Sequence, residues 1–167
     1  LLAQKGAFVI DLDQVGQQLL QNTSSVFGQL LSTFGTTILD GNGTISRSKL
    51  GEIVFTDSEA RKQLDSIMHP VIVEKSRHSA HQFVEGDSSR IAVIDSPLLI
   101  EVNGHETVDL VIVVITDAHT QKQRLIKRSH DQKRPIDCHQ IEARIKAQLP
   151  LSEKVKYADF VIDNSGA

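Results

Sequence analysis

Two aspartates flank one leucine at Asp11-Leu12-Asp13, directly after the apolar run Phe8-Val9-Ile10. In extended backbone, side chains two apart point the same way. One of these carboxylates can then bind a hydroxyl or cap the next helix while the other accepts a proton. Asp13 acting only as a helix cap is the plainer reading, and the spacing leaves both open. Arg124 and Arg128 are four apart, so on a helix they share one face. Two guanidinium groups placed near strand ends suit a polyphosphate that gains charge in a transition state. A solvated face carrying surface ion pairs is the alternative. Asp95 ends another apolar run, as does the acid that holds magnesium in phosphate-transfer enzymes. It can equally bond nearby backbone. His69, just before Pro70, is either structural or part of a site. Asn164-Ser165-Gly166 suits a backbone-lined pocket for a planar base, or an ordinary turn.

The elements that position these residues follow from one repeated phrase. Val-Ile-Asp closes apolar runs at 9–11, 93–95 and 161–163, and a fourth run, Leu110–Ile115, ends in Thr116-Asp117. Short runs rich in β-branched residues, separated by helical patterns, predict parallel strands buried on both faces. Ligands in such sheets sit beyond the carboxyl ends of the strands, where these acids and hydroxyls fall. The expected strands are 7–11, 91–95, 110–115 and 160–163. Asp13 is expected to cap a helix through about 22, and a second helix carries Val26, Leu30, Leu31 and Phe34 on one face. Ser46 caps a helix through Phe55. Asp57-Ser58 starts another that ends near Met68, and Pro70 begins the next, to about Val84. Roughly 80 residues thus separate the first two strands, where a plain crossover needs about a dozen. The excess predicts a helical insertion able to hold a substrate. A helix over 118–128, another from Asp137 towards Leu149, and one capped by Ser152 complete the pattern.

Composition bounds the rest. The 167 residues suit one α/β domain with an insertion. The net charge of −3 argues against a general nucleic-acid or membrane binder. Residues 122–146 are nonetheless basic, carrying Lys122, Arg124, Lys127, Arg128, Lys133, Arg134, Arg144 and Lys146. The single cysteine, Cys138, rules out an internal disulfide and fits a reducing, cytoplasmic setting. No apolar run approaches the ~20 residues of a membrane span, and no secretory signal is visible. The chain opens on Leu1-Leu2-Ala3-Gln4-Lys5-Gly6 without methionine. That reads as a last helical turn stopped by Gly6, and hence as an N-terminally truncated piece.

Taken in order, the segments resemble the dephospho-coenzyme A kinase family along the whole chain. The resemblance is carried by Val9-Ile10-Asp11-Leu12-Asp13, Phe34-Gly35 with Ile38-Leu39, and Gly43-Thr44-Ile45-Ser46-Arg47 with Leu50. It continues through Ile53-Val54-Phe55, His69-Pro70, and Asp95-Ser96-Pro97-Leu98-Leu99 with Glu101. It ends with Gln123-Arg124-Leu125 and Arg128, Arg144-Ile145 with Gln148, and Ala158-Asp159-Phe160-Val161-Ile162-Asp163-Asn164-Ser165-Gly166.

The resemblance implies a P-loop NTPase-type, three-layer α/β fold. The nucleotide-binding core is then 1–13, 90–120 and 150–167, the helical substrate domain 14–89 and the lid 121–149. It implies transfer of the ATP γ-phosphoryl group, with Mg2+, to the ribose 3′-hydroxyl of dephospho-CoA, and no obligate protein partner. Asp13 matches the family's proposed base. Arg124 matches a lid arginine on the transferring phosphate, assisted by Arg128. Arg47, His69 and the segment Pro97, Leu98, Leu99 and Glu101 match the substrate site. Asn164 to Gly166 fall beside adenine, and Asp95 near the metal.

Two departures stand out. Ser129-His130 follows Arg128 where the family often has an acid. The phosphate-binding motif G-x-x-x-x-G-K-S/T is absent. A piece lacking it is expected to be inactive alone. In such kinases the strand before that motif lies between those expected at 91 and 110. Both would then expose an edge, which predicts marginal stability. A nucleoside-monophosphate kinase is the nearest rival, and an inactive binding piece another. A phospho-acceptor signalling domain fits less well, because Asn164 stands where it needs a lysine.

Overall fold

The computed structural model describes residues 1–131, 141, 142, 145 and 148–166. Cys138, Arg144 and most of the helix expected from Asp137 lie outside them. The chain forms two compact units, Leu1–Ser96 and Pro97–Ala167.

In the first unit a 3-10 turn, Ala3–Lys5, is closed by Gly6 at φ 92°, a conformation that suits glycine. Strand β1 (Phe8–Asp11) leads directly into helix α1 (Leu12–Gln18). Asp11, still extended, is the N-cap, and its carboxylate accepts from the Asp13 and Gln14 amides. The expected cap at Asp13 is therefore corrected. The cap must be the last residue with extended backbone, and here that is the final residue of the strand. Asp13 is helical, and the helix stops at Gln18 rather than 22.

Helices α2 (Phe27–Phe34) and α3 (Arg47–Thr56) follow, the latter capped by Ser46 as expected. Asp57 caps α4, which runs unbroken from Ser58 to Val84. Pro70 lies inside this 27-residue helix instead of starting a new one. A proline removes one helical hydrogen bond and crowds the preceding turn. Here Ile67 and Met68 are buried beside it, with Val71 and Ile72 packed on the same core. That burial outweighs the loss. The core of this unit gathers Leu19, Leu30, Ile38, Ile45, Leu50 and Met68 among others. Leu19, Leu30 and Ile38 are fully enclosed, and burial stabilises each by about 1.5–3 kcal/mol.

Strand β2 (Ala92–Asp95) pairs in parallel with β1. The repeated phrase is in register with itself: Val9 opposite Val93, Ile10 opposite Ile94 and Asp11 opposite Asp95. At the far end of α4, Phe83 stacks on Phe8 of β1, with ring centroids 4.8 Å apart.

In the second unit β3 (Ile112–Ile115) is followed by α5 (Ala118–Asp131), and β4 (Phe160–Asp163) pairs in parallel with β3. A short helix, Leu151–Lys154, and the 3-10 turn Val155–Tyr157 precede β4. Pro150, not Ser152, occupies the cap position, and no side chain caps that end. Ile100, Val111 and Val113 form the core.

Among the described residues the strands make two separate parallel pairs, and neither β2 nor β3 has a strand on its second edge. Burial on both faces does not hold. Ile112, Val114, Phe160 and Ile162, on one face of the β3–β4 pair, are each more than half exposed. Those strands carry the apolar composition of a buried sheet, but no described element covers that face.

Candidate active site

The carboxyl ends of the strands carry the acids in both units. In the first, the register sets Asp11 beside Asp95. Asp11 is engaged: besides the two amides it accepts from Gln14 Nε2 at 3.1 Å. Asp13, the second residue of α1, is exposed, and its carboxylate makes no hydrogen bond or ion pair among the described residues. The two acids thus divide the possible tasks, Asp11 holding the helix start and Asp13 left open to accept a proton. Asp95 is exposed at the end of β2. No group of three or more His, Cys, Asp or Glu among the described residues gathers to hold a metal. Mg2+ needs only one or two carboxylates, with phosphate oxygens and water completing its shell. A lone exposed Asp95 fits that requirement.

Arg47 opens α3 and is exposed. His69 lies in α4, half-buried, with Nε2 at 3.4 Å from Asp65 Oδ1 one turn earlier. No hydrogen bond or ion pair joins Asp13, Arg47 and His69 among the described residues.

The second unit brings its residues together more closely. Arg124, on α5, donates from Nη1 to the Asn164 carbonyl at 2.7 Å and from Nη2 to the Gly166 carbonyl at 2.8 Å. The fork geometry of guanidinium suits two acceptors at once. The loop it grips is further held by the Asn164 amide on Ile115 O and by the Asp117 amide on Ser165 Oγ. The Ser165 amide donates to Asp163. The hydroxyl and amide of Ser165 hold the Asp163 carboxyl below its usual range, outweighing desolvation and the charge of Asp117, which push it up. Arg128, one turn beyond Arg124, is exposed and makes no ion pair or hydrogen bond among the described residues. The two arginines share a helix but are not equivalent. One grips the loop, and the other is available to an anion.

The segment from Pro97 to Glu101 folds into tight turns. The Val102 amide donates to Leu98 O, and the Gly104 amide to Leu99 O at 2.8 Å. Gly104 packs closely there: an added Cβ would stand 2.7 Å from Leu99 Cδ1 and 3.2 Å from the Leu99 carbonyl oxygen, so Leu99 would have to shift. Glu101 is turned inward. Lys154 Nζ lies 2.8 Å from its Oε1, which also accepts the Leu149 amide at 2.9 Å. Burial pushes the Glu101 carboxyl up, but hydrogen bonds from Lys154 and Leu149 outweigh it and hold the group below its usual value. Lys154 also donates to the Pro97 carbonyl at 2.6 Å.

Lys154 was not among the residues singled out from sequence. Its signal is the spacing Leu151, Lys154, Val155, Ala158, which sets the lysine on the apolar face of its helical stretch.

Comparison with known proteins adds the family. A family model described as dephospho-CoA kinase matches residues 1–167. The dephospho-CoA kinase of Bacillus anthracis is 36% identical over 158 residues, covering 95% of this chain and 76% of that protein. That of Geobacillus kaustophilus is 37% identical over 166 residues, covering 99% and 80%. Among solved structures, dephospho-CoA kinase from Campylobacter jejuni is similar with a TM-score of 0.64 and 26% identity, covering 99% of this chain and 79% of that one. A crystal structure of TT1252 from Thermus thermophilus is similar with a TM-score of 0.76 and 25% identity, covering 99% and 80%. The α/β architecture inferred from the strand phrase is thus that of solved structures of this type. The chain belongs to the dephospho-CoA kinase family.

Proposed function

We propose that this chain carries the acceptor, base and lid machinery for phosphorylating the ribose 3′-hydroxyl of dephospho-CoA with ATP, giving CoA and ADP. Family membership supports the reaction. The observation that carries the mechanism is the unengaged carboxylate of Asp13 beside a capping Asp11. Asp13 accepts the 3′-hydroxyl proton as that oxygen attacks the γ-phosphorus. The bond from the γ-phosphorus to the β–γ bridging oxygen breaks, and ADP leaves with the electron pair. Such transfers depend on positioning and charge rather than on covalent catalysis.

Arg124 shapes the Asn164–Gly166 loop, which takes the adenine of ATP. Arg124 also keeps the role that the resemblance gives it on the transferring phosphate, and Arg128, exposed on the same helix, assists it. By resemblance, Arg47 and His69 in the first unit and Pro97, Leu98 and Leu99 in the second are the residues assigned to dephospho-CoA, with Glu101 acting from behind its own segment. Asp95 is the residue that would hold Mg2+, which would supply neutralisation of the phosphate charge.

In this reading 1–13, 90–120 and 150–167 are the nucleotide core, 14–89 the substrate domain and 121–149 the lid. The setting is cytoplasmic, and no helix of the described residues is long and apolar enough to cross a membrane. The sequence contains no G-x-x-x-x-G-K-S/T, so these residues alone lack the phosphate cradle. The test is to fuse a segment bearing that motif ahead of Leu1 and to assay ATP with dephospho-CoA. CoA and ADP are expected in equal amounts. Phosphorylation of a nucleoside monophosphate but not of dephospho-CoA would overturn the reading.

A further inference from the structure

We infer that Lys154 is a positioning residue for the acceptor substrate, fixing both ends of segment 97–101 from behind. This rests on reading that segment as part of the dephospho-CoA site. Lys154 is 8% exposed, buried beside Val155 and Ala158, which pack on Ile100, Val111 and Val113. Its single ammonium reaches the Pro97 carbonyl at one end of the segment and the Glu101 carboxylate at the other. Glu101 then passes the restraint to the Leu149 amide, where the stretch 121–149 ends. Two stretches far apart in sequence, 97–101 and 149–154, meet at one charge pair.

Stability alone is a poor reason for this arrangement. Buried ion pairs cost so much desolvation that apolar replacements are often neutral or better. Glu101 Oε2 is, in addition, buried without a partner among the described residues. What the pair supplies is geometry, because a carbonyl and a carboxylate four residues apart can both bind one ammonium only if the turn between them keeps its shape. Leu98 and Leu99 lie in that turn. Lys154 therefore acts on substrate through the backbone of the segment, without touching it.

The experiment is calorimetric titration of the 167-residue chain with dephospho-CoA, alongside thermal unfolding. Lys154→Met should weaken dephospho-CoA binding by about tenfold or more. Lys154→Arg keeps the donors and should hold affinity to within about threefold. The double variant Lys154→Met with Glu101→Leu replaces the ion pair by apolar contact and should regain the wild-type melting point without regaining affinity. Affinity that follows the melting point through all variants would make Lys154 merely structural and overturn the inference. So would a tenfold loss in Lys154→Arg at an unchanged melting point, which also decides the matter should the double variant not fold. Absence of wild-type binding would overturn the dephospho-CoA reading itself, and the positioning role with it.

Discussion

Replacing Asp13 by asparagine separates catalysis from structure unusually well at this site. The side chain keeps its size, and the structure gives Asp13 no hydrogen bond to lose, since Asp11 supplies the cap of α1 through contacts of 2.9 and 3.2 Å. The melting curve should therefore barely move. Turnover is a different matter, because a positioned general base contributes about 10²- to 10⁴-fold. We predict a loss in that range for Asp13→Asn in the protein fused to a phosphate-binding segment, with little change in ATP affinity. Asp11→Ala is the counterpart. It removes the cap, which costs about 1 kcal/mol, or about 2–4 °C for a chain of this size. Its turnover should fall far less than that of Asp13→Asn. CoA formation at saturating ATP measures the first effect, and circular-dichroism melts measure the second. Full turnover in Asp13→Asn would refute the assignment of the base. Equal destabilisation by the two substitutions would refute the division of labour on which it rests.

Three further outcomes follow from contacts in the second unit. Arg124→Lys replaces a two-pronged donor by a point charge, so the KM for ATP should rise about tenfold while that for dephospho-CoA stays put; equal rises in both would contradict a role confined to ATP. Gly104→Ala forces Leu99 to move, since the new Cβ stands 2.7 Å from Leu99 Cδ1 and 3.2 Å from its carbonyl oxygen; a cost of about 1–3 kcal/mol is expected, and an unchanged urea midpoint would refute it. Folding holds the Glu101 carboxyl below its ordinary value of 4.5, so the unfolded chain binds that proton more readily. Its contribution to stability is full above that value and is lost as pH falls through the lower, folded one. Glu101→Gln should abolish this part of the acid-side loss in urea titrations, and an identical pH profile in the variant would count against it.

Strand positions, parallel pairing and the caps at Ser46 and Asp57 were legible because each rests on a local signal. A run of branched residues or a capping side chain carries its own information. Other features depend on partners that the local pattern does not name. Pro70 reads as a boundary, but burial of Ile67 and Met68 carries the helix through it. Asp11 and Asp13 are equally good caps on paper, and only the backbone conformation at the strand end separates them. Buried strands were expected from composition, yet burial belongs to what packs against a strand, and among the described residues the β3–β4 pair lacks cover on one face. At the site, the residue types Asp13, Arg124 and Arg128 stood out, while the acceptors of Arg124 did not. They are backbone carbonyls, which every residue possesses and no sequence distinguishes.

The proline inside α4 has a mechanical side. At 1.5 Å per residue, a helix the length of α4 is a rod of about 40 Å, stiff because each turn is tied to the next. Pro70 has no amide hydrogen for the Ser66 carbonyl, so one tie is missing, and it is missing in the turn that carries His69. The rod is seated in the helical core on both sides of that point, through Ile67 and Met68 before it and Val71 and Ile72 after it. Its far end leans on β1 through Phe83 and Phe8. The missing tie therefore falls inside the seated stretch, where packing on both sides holds the softest turn of the rod, and His69 stands in that turn.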